Sequence, residues 1–106
     1  MNQTVKVTMY SPTGEGLGDR EFTVTGLRFA EGWVTVETTD GRLQATLDEL
    51  GGGRITTLDQ ILSGLSDSEM SDEEQAARSN IRRGVEATIR KRAIESFVPP
   101  GFERRI

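Results

Sequence analysis

Polar and apolar side chains alternate along most of the first fifty residues, which is the spacing of β-strands. Val5, Val7 and Met9 share one face of the first such stretch. A segment rich in glycine, at residues 11–19, follows it and is typical of a loop. Further alternating stretches continue to residue 50, so the pattern predicts four strands in sequence order.

Two short turns predict how these strands pair. Glu31-Gly32 and Asp40-Gly41 both have the composition of two-residue hairpin turns. The cross-strand pairs that they predict are Leu27 with Val36, Phe29 with Val34, Val34 with Leu47, Val36 with Ala45, and Thr38 with Leu43. Both registers place the same apolar residues on one face. Because a slip of one residue would invert every side chain, this agreement supports an antiparallel meander.

The face of the second strand that carries the apolar side chains changes near Gly26. Phe22 and Val24 fall on the face opposite Leu27 and Phe29 if the alternation is regular. A β-bulge at Gly26 would bring all four side chains to one face, because an inserted residue switches the facing. The alternative is a curled strand whose two faces both meet apolar partners.

Helical spacing replaces the alternation after the three glycines at 51–53. Thr57 and Gln60 have the spacing of a capping box, and a short helix is predicted to end near Gly64. Ser71 and Glu74 form a second box of the same kind, at the start of a long helix. The pair Pro99-Pro100 ends that helix.

The long helix is predicted to bury one apolar stripe. Ile81, Val85 and Ile89 form it, with Ala77 and Thr88 at its edge. Gly84 stands in the middle of the helix, where glycine costs about 1 kcal/mol relative to alanine. A close crossing or a kink would account for it.

Together these elements predict an α+β domain, in which a four-stranded antiparallel β-meander is followed by a short helix and a long C-terminal helix. An alternative arrangement curls the meander toward a small SH3-like barrel. The 106 residues fit one domain. Within it we expect the meander at 1–50, the short helix at 57–65, the long helix at 71–98 and an extended tail at 99–106.

Composition narrows the chemistry. The chain has no cysteine and no histidine, so disulfides, thiolate nucleophiles and the usual general base at neutral pH are excluded. No carboxylate pair or metal-ligand spacing stands out, and we expect no enzyme, metal or cofactor. The first residues resemble neither a signal peptide nor a membrane span, so a soluble cytoplasmic protein is expected.

Charge is segregated along the second half, although the net charge is only −4. Residues 66–77 hold five acids and no base, whereas residues 78–94 hold six bases and one acid. The candidates for binding an anion or a nucleic acid are Arg82, Arg83, Arg90, Lys91 and Arg92. They are scattered around a helical wheel, which favours a solvated helix paired with the protein's own acids. An acidic protein partner is a third reading.

Gly51-Gly52-Gly53-Arg54 has the composition of an anion-binding nest, but a linker is the simpler interpretation. Trp33 lies on the far face of the sheet, across from Ala30. It either covers that face or packs against the helices, or it anchors a partner. Near the C-terminus, Phe97 and Phe102 either fold back on the core or dock onto a partner or a second copy.

The function expected from these residues is that of a non-catalytic protein-binding module, a small regulatory, inhibitory or assembly factor of bacterial or phage type. Trp33, Phe97 and Phe102 are its expected partner-binding residues, and homo-oligomer formation through the C-terminal region is expected as an option. The alternative is a nucleic-acid-binding protein that uses the basic helix.

Overall fold

The computed structural model of the protein describes residues 1–96. Its strands are β1 (Gln3–Tyr10), β2 (Gly16–Ala30), β3 (Trp33–Thr38) and β4 (Gly41–Thr46). Its helices are α1 (Leu47–Gly51), α2 (Thr56–Gly64) and α3 (Asp72–Ser96), with a 3-10 turn at Asp67–Glu69. The predicted tail at 99–106 and the predicted end of the long helix at 97–98 lie outside the described residues.

The four strands form one antiparallel sheet in the order β1-β2-β3-β4, which confirms the meander and the α+β class. β1 and β4 remain the two edges of the sheet, so the strands do not close into a barrel. α2 lies along β1, where a closing strand would have to pair.

A bulge in β2 resolves the change of facing that the sequence shows. The register of β2 against β3 shifts between Val24 and Gly26, which confirms the predicted bulge. As a result Phe22, Val24 and Leu27 are all buried. The long strand therefore turns one apolar face to the core along both halves, pairing with β1 through the first and with β3 through the second.

The first hairpin has the predicted register, but the second is shifted by two residues. Thr38 pairs with Gly41, so the two-residue turn is Thr39-Asp40 and the predicted turn at Asp40-Gly41 is wrong. The Thr38 hydroxyl accepts a hydrogen bond from the Asp40 amide and donates one to the Gly41 carbonyl, which fixes this turn. Gly41 has a φ of 126°, in the region that favours glycine.

The shift moves each predicted β4 partner of β3 along by two residues, while the β2 partners are as predicted. Val34 pairs with Ala45 and Val36 with Leu43, where the sequence predicted Leu47 and Ala45. Because the side-chain period of a strand is also two, the faces are unchanged and the buried residues remain buried.

β4 ends four residues earlier than the predicted meander, because a short helix begins at Leu47. Thr46 caps this helix: its hydroxyl accepts from the Glu49 amide, while the Glu49 carboxylate accepts from the Thr46 amide. This is a complete capping box that the alternating pattern of the strand concealed. It places Leu50, which is buried, at the end of the core.

The two predicted capping boxes differ in outcome. Ser71 and Glu74 form theirs in full at the start of α3. The box at Thr57 and Gln60 is wrong, since α2 begins at Thr56 and has no side-chain cap. Gln60 instead donates to the Thr8 carbonyl and accepts from the Thr8 amide, both at 2.9 Å.

All three helices pack on one face of the sheet. α2 contributes Leu58 and Ile61 to the core, and α3 contributes Ile81. The full set of buried core residues is Val5, Val7, Phe22, Val24, Leu27, Val34, Val36, Ala45, Leu50, Leu58, Ile61, Leu65, Met70 and Ile81. The opposite face of the sheet carries none of these residues.

Candidate functional site: a groove between two helices

α2 and α3 are anchored separately, and a groove separates them. α2 packs against β1, whereas α3 packs against β2 and α1. The hollow between the two helices has a volume of about 290 Å³. The residues that line it are Leu50, Asp59, Leu62, Ser63, Arg78, Ile81, Arg82, Val85, Glu86 and Ile89.

The floor and walls of this groove are apolar. Leu50 and Ile81 form a fully buried floor, at 3% exposure each. Leu62 on α2 and Val85 on α3 are half-buried, and Ile89 is 51% exposed. Aliphatic side chains therefore face solvent inside a concave surface, where water can be displaced by a partner's side chains.

The exposure of Ile89 corrects the predicted stripe of α3. Three residues spaced by four drift around a helix by about 40° at each step, so Ile81 and Ile89 point in clearly different directions. The face that packs against α1 instead includes Gly84 and Thr88. A Cβ atom on Gly84 would lie 2.5 Å from Cδ1 of Leu47, which confirms the expected close crossing. α3 is rotated toward α1, and Ile89 is left on the wall of the groove.

Charged side chains stand at the rim. Arg78 already donates to the Leu65 carbonyl at 2.6 Å and to the Asp67 carboxylate at 2.8 Å. Arg82 and Glu86 are exposed, and within the described part of the chain neither has an ion pair.

Asp59 is the most unusual of the charged groups. It lies in the first turn of α2, is half-buried, and its carboxylate has no hydrogen bond or ion pair with any residue between 1 and 96. Burial raises the pKa of this carboxyl above its usual value, because the charged form loses hydration without gaining a partner.

The basic residues proposed from the sequence do not form one surface. Arg82 lines the groove, whereas Arg90 and Lys91 line a separate hollow with Ile94. Arg92 donates to the Asp48 carboxylate at 2.8 Å and to the Asp48 carbonyl at 3.2 Å. Arg83 donates to the side chain of Asn80.

The glycine loop after α1 has no free anion-binding amides. The Gly52, Gly53 and Arg54 amides donate to the carbonyls of the preceding turn, at 3.0, 3.1 and 3.1 Å. An anion-binding nest needs those N–H groups to be available. Gly51 belongs to α1 and residues 52–54 close its C-terminal end, so the segment is a helix ending and not the linker that the sequence predicted.

The predicted partner-binding residues lie away from the groove or outside the described residues. Trp33 is 47% exposed and pairs with Ala30 and Thr46 on the face of the sheet opposite the helices. The structure therefore does not bring Trp33 together with the groove. Phe97 and Phe102 lie outside the described residues.

Sequence reasoning did not single out Asp59 or Leu62 as site residues. Leu62 follows the helical spacing of Leu58, Ile61 and Leu65, so the sequence indicates an apolar face of the short helix at this position. No pattern in the sequence shows that a groove separates α3 from this face of the short helix. The isolated acid beside that face was the available signal, but an acid in a first turn is also the ordinary complement of a helix dipole.

Within residues 1–96 no group of three potential ligands comes together to hold a metal ion. None of the helices in that part of the chain combines the length and the apolar character needed to cross a bilayer. An apolar groove with a charged rim can bind and orient a partner segment.

Fold and groove define an α+β domain with an open interhelical cleft. Comparisons of the chain with protein-family models, with curated proteins and with solved structures give no match.

Proposed function

We propose that this protein is a non-catalytic protein-binding module, a small regulatory, inhibitory or assembly factor that holds a segment of another protein in the α2–α3 groove. The observation that carries the proposal is the open apolar wall, with Ile89 at 51% exposure above a buried floor. Concave apolar surfaces with polar rims are the usual form of such binding sites.

The dimensions of the groove favour a macromolecular segment over a small molecule. Its volume of about 290 Å³ is at the lower limit of small-molecule pockets, which enclose most of their ligand. The apolar wall from Ile81 to Ile89 extends over nine residues of α3, or about 12 Å of helix. A few side chains that project from a partner segment fit this shape.

A pair of matched substitutions tests the proposal. Ile89→Glu places a charge on the groove wall, and Ile94→Glu makes the same change on the same helix at a residue that is 69% exposed and does not line the groove. We expect the immobilised full chain to capture a protein partner from the source lysate. Ile89→Glu should abolish this capture, because burying an unpaired carboxylate is unfavourable.

The control, Ile94→Glu, should capture the same protein as the wild type, and both variants should keep the wild-type circular dichroism spectrum. Capture that survives Ile89→Glu would contradict the groove as the binding site. Capture of nucleic acid that is lost in an Arg83→Glu, Arg90→Glu variant and falls steeply with salt would support the alternative, a nucleic-acid-binding protein.

A further inference from the structure

We infer that the segment bound in the groove is a basic amphipathic helix, whose aliphatic side chains cover Leu62, Val85 and Ile89 and whose lysine or arginine pairs with Asp59. The inference rests on the proposed function and adds to it the chemistry of the partner.

Asp59 carries a charge that the described part of the chain leaves unpaired. Its carboxylate is half-buried against the apolar lining of the groove and has no hydrogen bond there. Asp59 also lines a neighbouring hollow with Lys6, but the Lys6 ammonium lies 3.9 Å from the Asp19 carboxylate and is engaged on the sheet.

The other charges at the rim leave a net negative site at Asp59. Arg78 is occupied by the Leu65 carbonyl and the Asp67 carboxylate. Arg82 and Glu86 lie one turn apart on α3, so their opposite charges offset each other as seen by a partner. A cationic side chain of the partner would complement the negative charge that remains at Asp59.

A carboxylate in this position is unfavourable in the free protein. Burial raises its pKa, which means that the folded state disfavours the charged form. A partner's cation that enters the groove would supply the missing interaction in a place where water is excluded, and such pairs add specificity to an apolar contact. Binding would therefore relieve a cost that the free protein carries.

The length of the groove wall fits a partner helix that contacts it over about two turns. The wall runs for about 12 Å along α3, and a helix that lies in an apolar groove contacts it through residues spaced by three and four. The basic residue would stand between two aliphatic ones on the partner's inner face, opposite Asp59 on α2.

The test uses the full chain and a library of random 16-residue peptides displayed on phage. We expect selected peptides to carry a lysine or arginine between aliphatic residues at helical spacing. Their Kd should rise about tenfold or more for Asp59→Asn, the loss expected when one member of a partly buried charge pair is removed. Asp40→Asn, the same change at an exposed turn that does not line the groove, should leave the Kd unchanged.

Asp59→Asn should also unfold at or above the wild-type temperature at pH 7, since it removes a carboxylate that burial disfavours. Loss of binding in this variant could then not be attributed to loss of the fold.

Several outcomes would overturn the inference. Selected peptides without a lysine or arginine would show that the groove binds proteins but not basic ones. Peptides that bind the Asp59→Asn variant with the wild-type Kd, but do not bind the Ile89→Glu variant, would show the same. A dimer that disappears with Ile89→Glu in light scattering would assign the groove to a second copy. Binders that appear only after residues 97–106 are replaced by a glycine-serine sequence of equal length would assign it to the chain's own C-terminal segment. Peptides that bind the Ile89→Glu variant with the wild-type Kd would instead contradict the proposed function.

Discussion

At the scale of single residues, two glycines determine how closely α1 and α3 approach. Gly84 on α3 faces Leu47, and Gly51 on α1 faces Thr88. The sequence showed Gly84 as an anomaly in a helix, and the close crossing explains it. Gly51 looked like part of a linker, because the short helix that contains it was not predicted.

Gly51→Ala should destabilise the protein by about 1–3 kcal/mol, as overpacking of a tight contact generally does. The new Cβ would lie 2.7 Å from Cγ2 and 2.9 Å from Cβ of Thr88, a β-branched residue that cannot easily move aside. Urea unfolding measures the change. Gly16→Ala, where a Cβ meets nothing within 4 Å, is the control and should change stability by less than about 0.5 kcal/mol.

The ion pair between Arg92 and Asp48 should make the protein less stable as the pH falls through the acidic range. The Arg92 guanidinium lowers the pKa of Asp48, first by its hydrogen bond and then by its charge, with Arg54 and Lys91 adding to the effect. Since the folded pKa is below the unfolded one, the pair stabilises the protein above the unfolded pKa and stops doing so as the pH falls through the folded pKa.

Arg92→Gln should therefore lower the melting temperature at pH 7 and raise the pKa of the Asp48 carboxyl toward its usual value near 3.8. The difference in melting temperature from the wild type should shrink as the pH falls below about 4. NMR titration of the Asp48 carboxyl measures its pKa directly, and thermal unfolding measures the melting temperature. A pKa unchanged by the substitution would show that the pair is not formed in solution.

At the scale of elements, two of the capping-box motifs in the sequence form complete boxes and a third, at Thr57, does not. The sequence predicts the boxes at Ser71 and at Thr57, and the structure forms those at Ser71 and at Thr46. The difference at Thr57 arises from Gln60, whose amide pairs with the backbone of Thr8 in β1. A contact between residues 52 positions apart is not visible in a local pattern.

Ser71→Ala should lower the free energy of unfolding by about 1 kcal/mol, the typical value of a lost N-cap. The Ser71 hydroxyl accepts from the Glu74 amide at 3.2 Å, and no other side chain of the described residues replaces it. Thermal and urea unfolding measure the loss.

Thr57→Ala is the matched control, because the Thr57 hydroxyl forms no cap. Its effect should stay within about 0.5 kcal/mol. A larger loss at Thr57 than at Ser71 would contradict the assignment of the two boxes.

The strands were more predictable than the turn between two of them. Alternation gave the faces of β3 and β4 correctly, and a shift of two residues left those faces intact. The hydrogen bonds of the Thr38 side chain selected the observed turn over its neighbour, and composition alone does not distinguish the two.

At the scale of the whole molecule, the fold followed from the pattern of the sequence while the groove did not. The periodicity of the sequence indicates which side chains are buried. It does not show which element of the fold each of the two helices packs against. α3 packs against α1 through Gly51 and Gly84, and α2 packs against β1 through Gly64. The groove is the space left between these two contacts, and Ile89 is exposed in it for that reason.

The two edge strands of the sheet differ in their contacts with the helices. α2 lies along β1, with Gln60 bonded to Thr8 and with Gln3 bonded to both the amide and the carbonyl of Ser66. Within residues 1–96, β4 has only β3 as a neighbouring strand. In the observed register, the backbone amides and carbonyls of Arg42 and Gln44 point away from β3.

The difference between the two edges bears on the stoichiometry of any strand-to-strand association. Two copies that joined β4 to β4 would use up the more open edge of each and leave only β1 edges outside, where the Gln60 side chain already occupies the outward amide and carbonyl of Thr8. Fibres that extend by adding strands need two open edges for each subunit. Because α2 places the Gln60 side chain on the edge of β1, association of this chain through its sheet is expected to favour a pair over a fibre.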